Sequence, residues 1–109
     1  MGDGLGEFEQ LVLLALVRLG DEAYGVTVHQ QLERRAGREV ALGAVYKTLA
    51  RLEAKKLVGA RLGEPTAERG GRRKRYYRLT AQGRRALSRS LATLQRMTAG
   101  LDLLPDPAN

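Results

Sequence analysis

The sequence contains no cysteine and no tryptophan, and aromatic residues make up only 5% of it. Without thiols there is no disulfide, no thiolate metal site and no cysteine nucleophile. The scarcity of aromatic rings argues against a platform that stacks nucleic-acid bases. No apolar run approaches the roughly 18 residues that cross a bilayer; the longest, Leu11 to Val17, stops well short. The acidic start (Asp3, Glu7, Glu9) is unlike the basic head of a signal peptide. These features lead us to expect one soluble domain with no membrane partner, located in the cytoplasm. The single histidine, His29, has no second His or Cys to share a metal, so neither metal nor cofactor is expected. A catalytic pairing of carboxylates, a nucleophile beside a base and a GxGxxG loop are all missing, which argues against an enzyme.

Acidic residues are also missing from one long stretch. From Met1 to Glu68 there are 9 Lys/Arg against 10 Asp/Glu, whereas Arg69 to Leu101 holds 10 Lys/Arg and no acid. One third of the chain therefore carries the excess behind the net charge of +7. Such asymmetry points to a polyanionic partner, nucleic acid ahead of a membrane surface. The charge is densest in ERGGRRKRYYRLT, residues 68–80, where five of the seven residues from Arg72 to Arg78 are cationic.

Periodicity supplies the frame around that stretch. Residues 7–19 read as a helix with Phe8, Val12, Ala15 and Leu19 on one stripe and Leu11, Leu14 and Leu16 on most of the remainder. A helix apolar nearly all round is buried on two sides, and in so small a protein the second side is expected to meet another chain. A second helix begins near Tyr24-Gly25 and runs to about Ala36; a third covers about 42–56, with Val45, Leu49 and Leu52 pointing inward. After Lys56 the period changes. LVGARLG and KRYYRL read as two strands joined by a Gly-containing basic loop, a β-hairpin. Thr80 is a plausible N-cap for a last helix, in which Leu87, Leu91, Leu94, Thr98 and Leu101 follow coiled-coil spacing and call for a partner helix. The fold class expected is mainly α (α+β): a winged helix-turn-helix with a two-stranded β-wing and a C-terminal dimerisation helix. The expected division is 1–80 for the winged-helix DNA-binding domain and 81–109 for the dimerisation helix and a short tail.

Four pieces in this order resemble the PadR family of bacterial winged-helix transcriptional regulators: LGEFE before the first helix, AYGV opening the second, GAVYKTLARLEAKKLV, and GRRKRYYRLTAQGRRAL. The resemblance covers about Leu5 to Leu101. It implies a homodimer on double-stranded DNA, with the third helix in the major groove and the last helix packed on the partner's first helix. Carried over by position, Tyr46 matches the tyrosine of the reading helix, Lys47 and Arg51 fall at its exposed positions, and Arg73, Lys74, Arg75 and Tyr76 match the wing. The sequence departs from the family pattern at Ala41, which removes a side-chain cap, and at Lys56, which replaces a glycine after the third helix. At that site the helix is expected to end by another route.

The chemistry of these residues suits a duplex. Lys and Arg neutralise phosphates and release condensed counterions. Arg72, Arg73 and Arg75 can reach phosphates bidentately or enter a narrow minor groove. Gly43 and Ala44 are small enough to let the third helix sit deep, with Lys47 and Arg51 as candidates for base or phosphate contacts. The expected dimerisation set is Phe8, Leu11 and Leu14 with Leu87, Leu91, Leu94, Met97 and Leu101. By analogy with that family, the resemblance implies a small apolar inducer at that interface, near Leu11, Leu14, Leu94 and Met97. The function expected is sequence-specific repression from a two-fold operator. The alternative is a basic architectural or RNA-binding module without sequence preference.

Overall fold

The computed structural model describes residues 4–65 and 73–103. Helix α1 spans Glu7–Leu19, α2 Gly25–Arg34 and α3 Leu42–Ala54; strands β1 (Val58–Leu62) and β2 (Arg75–Leu79) follow, and α4 runs Ala81–Thr98. This order is that of a winged helix, mainly helical with one antiparallel hairpin. The pairing register sets Val58 opposite Leu79, Ala60 opposite Tyr77 and Leu62 opposite Arg75. Alternation along the strands then puts Val58, Ala60 and Tyr77 on the core side, leaving Arg61, Tyr76 and Arg78 on the other. Arg72 and the paired glycines Gly70 and Gly71 lie outside the described residues.

One core holds these elements together. Val12, Leu13 and Leu16 of α1 meet Val28 and Leu32 of α2, Val45, Leu49 and Leu52 of α3, and Tyr77 of β2. Each such aliphatic side chain, fully buried, contributes about 1.5–3 kcal/mol. Of the stripe expected from periodicity, Val12 and Ala15 are buried and Phe8 and Leu19 are half-buried, while Glu9, Leu13 and Leu16 widen the buried face of α1. Phe8, Leu11 and Leu14 are half-buried against the core. With Leu at four of the six positions from 11 to 16, spacing alone selects no face.

Local chemistry sets the helix ends. Glu9 Oε1 accepts from the Gly6 backbone N–H (3.1 Å) at the start of α1. Thr27 Oγ1 does the same for Tyr24 (3.0 Å) at the start of α2 and donates to the Glu22 carbonyl (2.6 Å). Ala41 supplies no side-chain bond to α3, as its methyl dictates. Helix α3 ends as a glycine would end it. Lys56 itself takes φ +64°, its N–H donates to the Glu53 carbonyl (2.9 Å), and the Leu57 N–H reaches back to Leu52 (2.9 Å). This is a Schellman closure with lysine in the left-handed position, and it corrects the expectation of a different route.

Thr80 caps α4, accepting from the Gly83 N–H (3.0 Å) while donating to the Lys56 carbonyl (2.7 Å). The Thr80 N–H donates in turn to the Leu57 carbonyl (3.0 Å). Gly83 is pressed against that same carbonyl, leaving no room for a β-carbon. The first turns of α4 thus belong to the winged-helix body. Leu87, 5% exposed, is spent in this chain's own core, and the exposed apolar row begins at Leu91. One further pairing was not foreseen: Ala23 accepts from the Tyr77 N–H (2.9 Å) and Tyr24 bridges Tyr76, adding a minimal third strand to the wing.

Candidate nucleic-acid interface

Helical geometry divides α3 into a core side (Val45, Thr48, Leu49, Leu52) and an outer side. Gly43, Lys47 and Ala50 follow one another at steps of four and three along the outer side, and all are exposed. Two small residues flank one long cation, a profile that admits close approach of a groove floor. Ala44 is exposed beside Gly43. Lys47 makes no hydrogen bond or ion pair among the described residues.

Three anchors hold this outer face in place, each from a different element. On one edge the ring of Tyr46, 45% exposed, covers Gly25 at the head of α2. On the other edge Arg51 Nε (3.4 Å) and Lys55 Nζ (2.9 Å) both donate to Oε2 of Glu9 on α1. Near the end of the helix Glu53 accepts from Arg75 of β2 at 2.8 Å. The two residues expected to touch DNA at Arg51 and Arg75 are therefore also structural ties.

The electrostatics follow from these pairs. Burial pushes the Glu9 carboxyl up, but the hydrogen bond from Lys55, the Gly6 N–H and the Arg51 guanidinium together outweigh it and hold the group below its ordinary value. Glu9 is thus an ionised carboxylate with only 7% of its surface exposed. The hydrogen bond to Glu53 raises the pKa of Arg75 further, so that side chain stays charged at every working pH.

The wing presents a second cationic surface. Tyr24 and Tyr76 meet edge to face with centroids 5.5 Å apart. The Arg61 guanidinium lies 4.6 Å from the Tyr76 ring centre and Lys74 Nζ 4.6 Å from that of Tyr24. Such stacking orders the cations while leaving their charge outward. Tyr76 is therefore half-buried under Arg61, whereas Tyr77 is the core tyrosine of the pair. Arg73 is exposed and unpaired among the described residues.

Glu9, Lys55, Tyr24 and Arg61 were not anticipated as parts of this surface. Glu9 lies 42 residues from Arg51 and 46 from Lys55, so no local spacing announces the contact. Arg61 could have been found from the hairpin register, which sets it opposite Tyr76. His29 donates from Nε2 to the Val40 carbonyl (2.7 Å) and so pins the segment between α2 and α3.

Of the expected dimerisation residues, Leu91, Leu94 and Met97 are exposed along α4, and Leu101 is exposed just beyond its end. Leu11 and Leu14 line a cavity of about 270 Å³ between α1 and α2, together with Ala15, Leu32 and the polar Arg18, Gln31 and Arg35. Leu94 and Met97 of the same chain take no part in it.

Comparison with known proteins settles the family. The sequence profile of the Transcriptional regulator PadR-like family matches residues 13–89. The chain belongs to the PadR-like family of transcriptional regulators. A PadR-like transcription factor from Bacteroides fragilis has the same fold, with a TM-score of 0.69 and 27% identity over 84% of this chain and 82% of that one. PadR of Bacillus subtilis, solved in complex with operator DNA, superposes at a TM-score of 0.67 with 18% identity, covering 94% of this chain and 51% of that one. Among curated sequences, an uncharacterised 37.1 kDa protein from a Streptomyces fradiae transposon is 34% identical over 87 residues; these are 79% of this chain and 23% of the transposon protein. The chain therefore spans less than a quarter of that relative's length. PadR-like proteins are DNA-binding regulators, not enzymes. No helix among the described residues is long and apolar enough to cross a membrane.

Proposed function

We propose that this PadR-like chain is a homodimeric repressor of the cytoplasm that reads a two-fold operator. The outer face of α3 enters the major groove, with Lys47 and Arg51 toward bases or phosphates and Gly43 and Ala44 allowing depth. Arg72, Arg73, Lys74 and Arg75 of the wing follow the backbone or the minor groove, supported by Tyr76. The observation that carries this reading is the exposed Gly43–Lys47–Ala50 face, bracketed by Tyr46 on one side and Glu9-bound Arg51 on the other. A helix fixed from three directions presents a rigid surface, and rigidity favours sequence discrimination over general charge attraction.

The dimer uses the apolar row left bare on α4. Met97 is 72% exposed and Leu94 51%, a cost that a partner helix removes. Leu91, Leu94, Met97 and Leu101 pack on Phe8, Leu11 and Leu14 of a second copy, which also closes the cavity between α1 and α2. A small apolar inducer fits there, and a thermal-shift screen in which no apolar compound stabilises the protein would count against it. In the dimer the two reading helices meet half-sites one turn of duplex apart, about 34–36 Å, or a multiple of that.

Selection of bound sequences from random duplex, followed by gel-shift titration at rising salt, tests the whole reading. A palindrome with helical-turn spacing is the expected result. Equal affinity for the selected fragment, random duplex, RNA and single strands would instead make this an architectural nucleic-acid binder.

A further inference from the structure

Glu9 and its two cations carry more than stability. We infer that Glu9 and Lys55 are positioning residues for DNA contact: Lys55 serves as the counter-ion of the buried carboxylate, and so frees Arg51 to reach a phosphate. The inference rests on the reading that the outer face of α3 meets the duplex.

The distances rank the two partners. Lys55 Nζ to Glu9 Oε2 is 2.9 Å, within the range of a short charge-assisted bond. Arg51 Nε reaches the same oxygen at 3.4 Å, and its other contact, to Thr48 Oγ1, is also 3.4 Å. Both exceed the 2.7–3.2 Å usual for N–H···O bonds, and the guanidinium is not bidentate on either acceptor. Oε1 is fixed by the Gly6 N–H, so the carboxylate is held in orientation. A buried carboxylate requires one full compensating charge. Lys55 supplies it, and Arg51 is a second cation on an acid already neutralised.

Position does the rest. Arg51 stands one turn beyond Lys47 and its side chain is 53% exposed, whereas Lys55 follows the end of α3. In the free protein Arg51 is parked close to the reading face without the entropy of an unheld side chain. A phosphate, offering a shorter bond, draws it off Glu9 while Lys55 stays. Take Lys55 away and Arg51 becomes the sole counter-ion for a buried charge, retained by the protein and withheld from the DNA.

The test is a salt series of binding constants for the wild type, R51Q, K55Q, R51Q/K55Q and E9Q/K55Q, on both the selected operator and random duplex. Counter-ion release is independent of sequence, so the slope on random duplex reports on these residues even if operator discrimination fails. That failure would sink the repressor reading separately. We expect R51Q to lower the slope by about 0.9, one phosphate contact. We expect K55Q to lower it as much, the double variant R51Q/K55Q to be no worse than R51Q, and E9Q/K55Q to recover the wild-type slope because Arg51 is released. K55R, which restores the counter-ion, is expected to match the wild type and controls for misfolding. Additive losses in R51Q and K55Q with no recovery in E9Q/K55Q would mean that Lys55 touches DNA itself, and would overturn the inference. An unchanged slope in R51Q would overturn it as well.

Discussion

The ring of Tyr46 on α3 lies so close over Gly25 at the head of α2 that any β-carbon at position 25 would overlap its Cε1, Cζ and Oη. This contact explains why the Tyr-Gly pair opening α2 matters to the helix that follows it. The atoms in the way are the far end of a half-exposed side chain, so the ring can swing outward. Gly25→Ala is therefore expected to change stability by less than about 1 kcal/mol, since the helix gains propensity while the ring yields. Binding to the selected operator should weaken by about 1–2 kcal/mol, because the displaced ring intrudes on the reading face. Gel shifts beside thermal melts check this. Unchanged affinity would remove Tyr46 from the interface.

Gly83 gives the opposite result. The atoms that would meet its β-carbon are the backbone of Leu57, which is itself held by Thr80. Backbone cannot step aside as a ring can. Gly83→Ala is expected to cost at least about 1–3 kcal/mol by forcing α4 away from the turn after α3. Chemical denaturation measures it; a loss below about 0.5 kcal/mol would show that α4 re-seats freely.

Lys56 offers a gain. An L-residue in the left-handed region carries a penalty of about 1–2 kcal/mol, partly offset by the smaller chain entropy it loses on folding. Lys56→Gly keeps the Schellman hydrogen bonds and relieves the strain, so stability should rise by about 0.5–1 kcal/mol. A fall in the denaturation midpoint would mean that the lysine side chain contributes something its surroundings do not reveal.

Glu9 makes stability depend on acid. Its folded-state pKa is lowered from the ordinary value of 4.5. The ionised form therefore stabilises the fold fully above that value, and the contribution is lost as pH falls through the lower folded value. E9Q lacks it throughout. The difference between wild type and E9Q should be largest near neutrality, about 1–3 kcal/mol, and shrink below pH ~4. A difference independent of pH would show that the carboxylate acts through shape rather than charge.

Much of the architecture was legible because local signals agreed with one another. Thr80 read as a cap and is one, and the change of period after Lys56 marked the hairpin. What could not be read depends on distance in sequence. Nothing near Glu9 says that it will face Arg51 and Lys55, and nothing near Ala23 says that its carbonyl will meet Tyr77. Leu87 continued a flawless seam by spacing, yet its proximity to the Gly83 contact draws it into the core. Lys56 shows the remaining limit: a residue type signals a preference, and the closing hydrogen bonds of α3 override it.

The bridge between Tyr24 and Tyr76 has a practical outcome for engineering. A hairpin that borrows its outermost rung from a segment some fifty positions upstream is not a detachable module. Chimaeras that transplant residues 58–79 from another regulator will misplace the graft unless positions 23 and 24 travel with it.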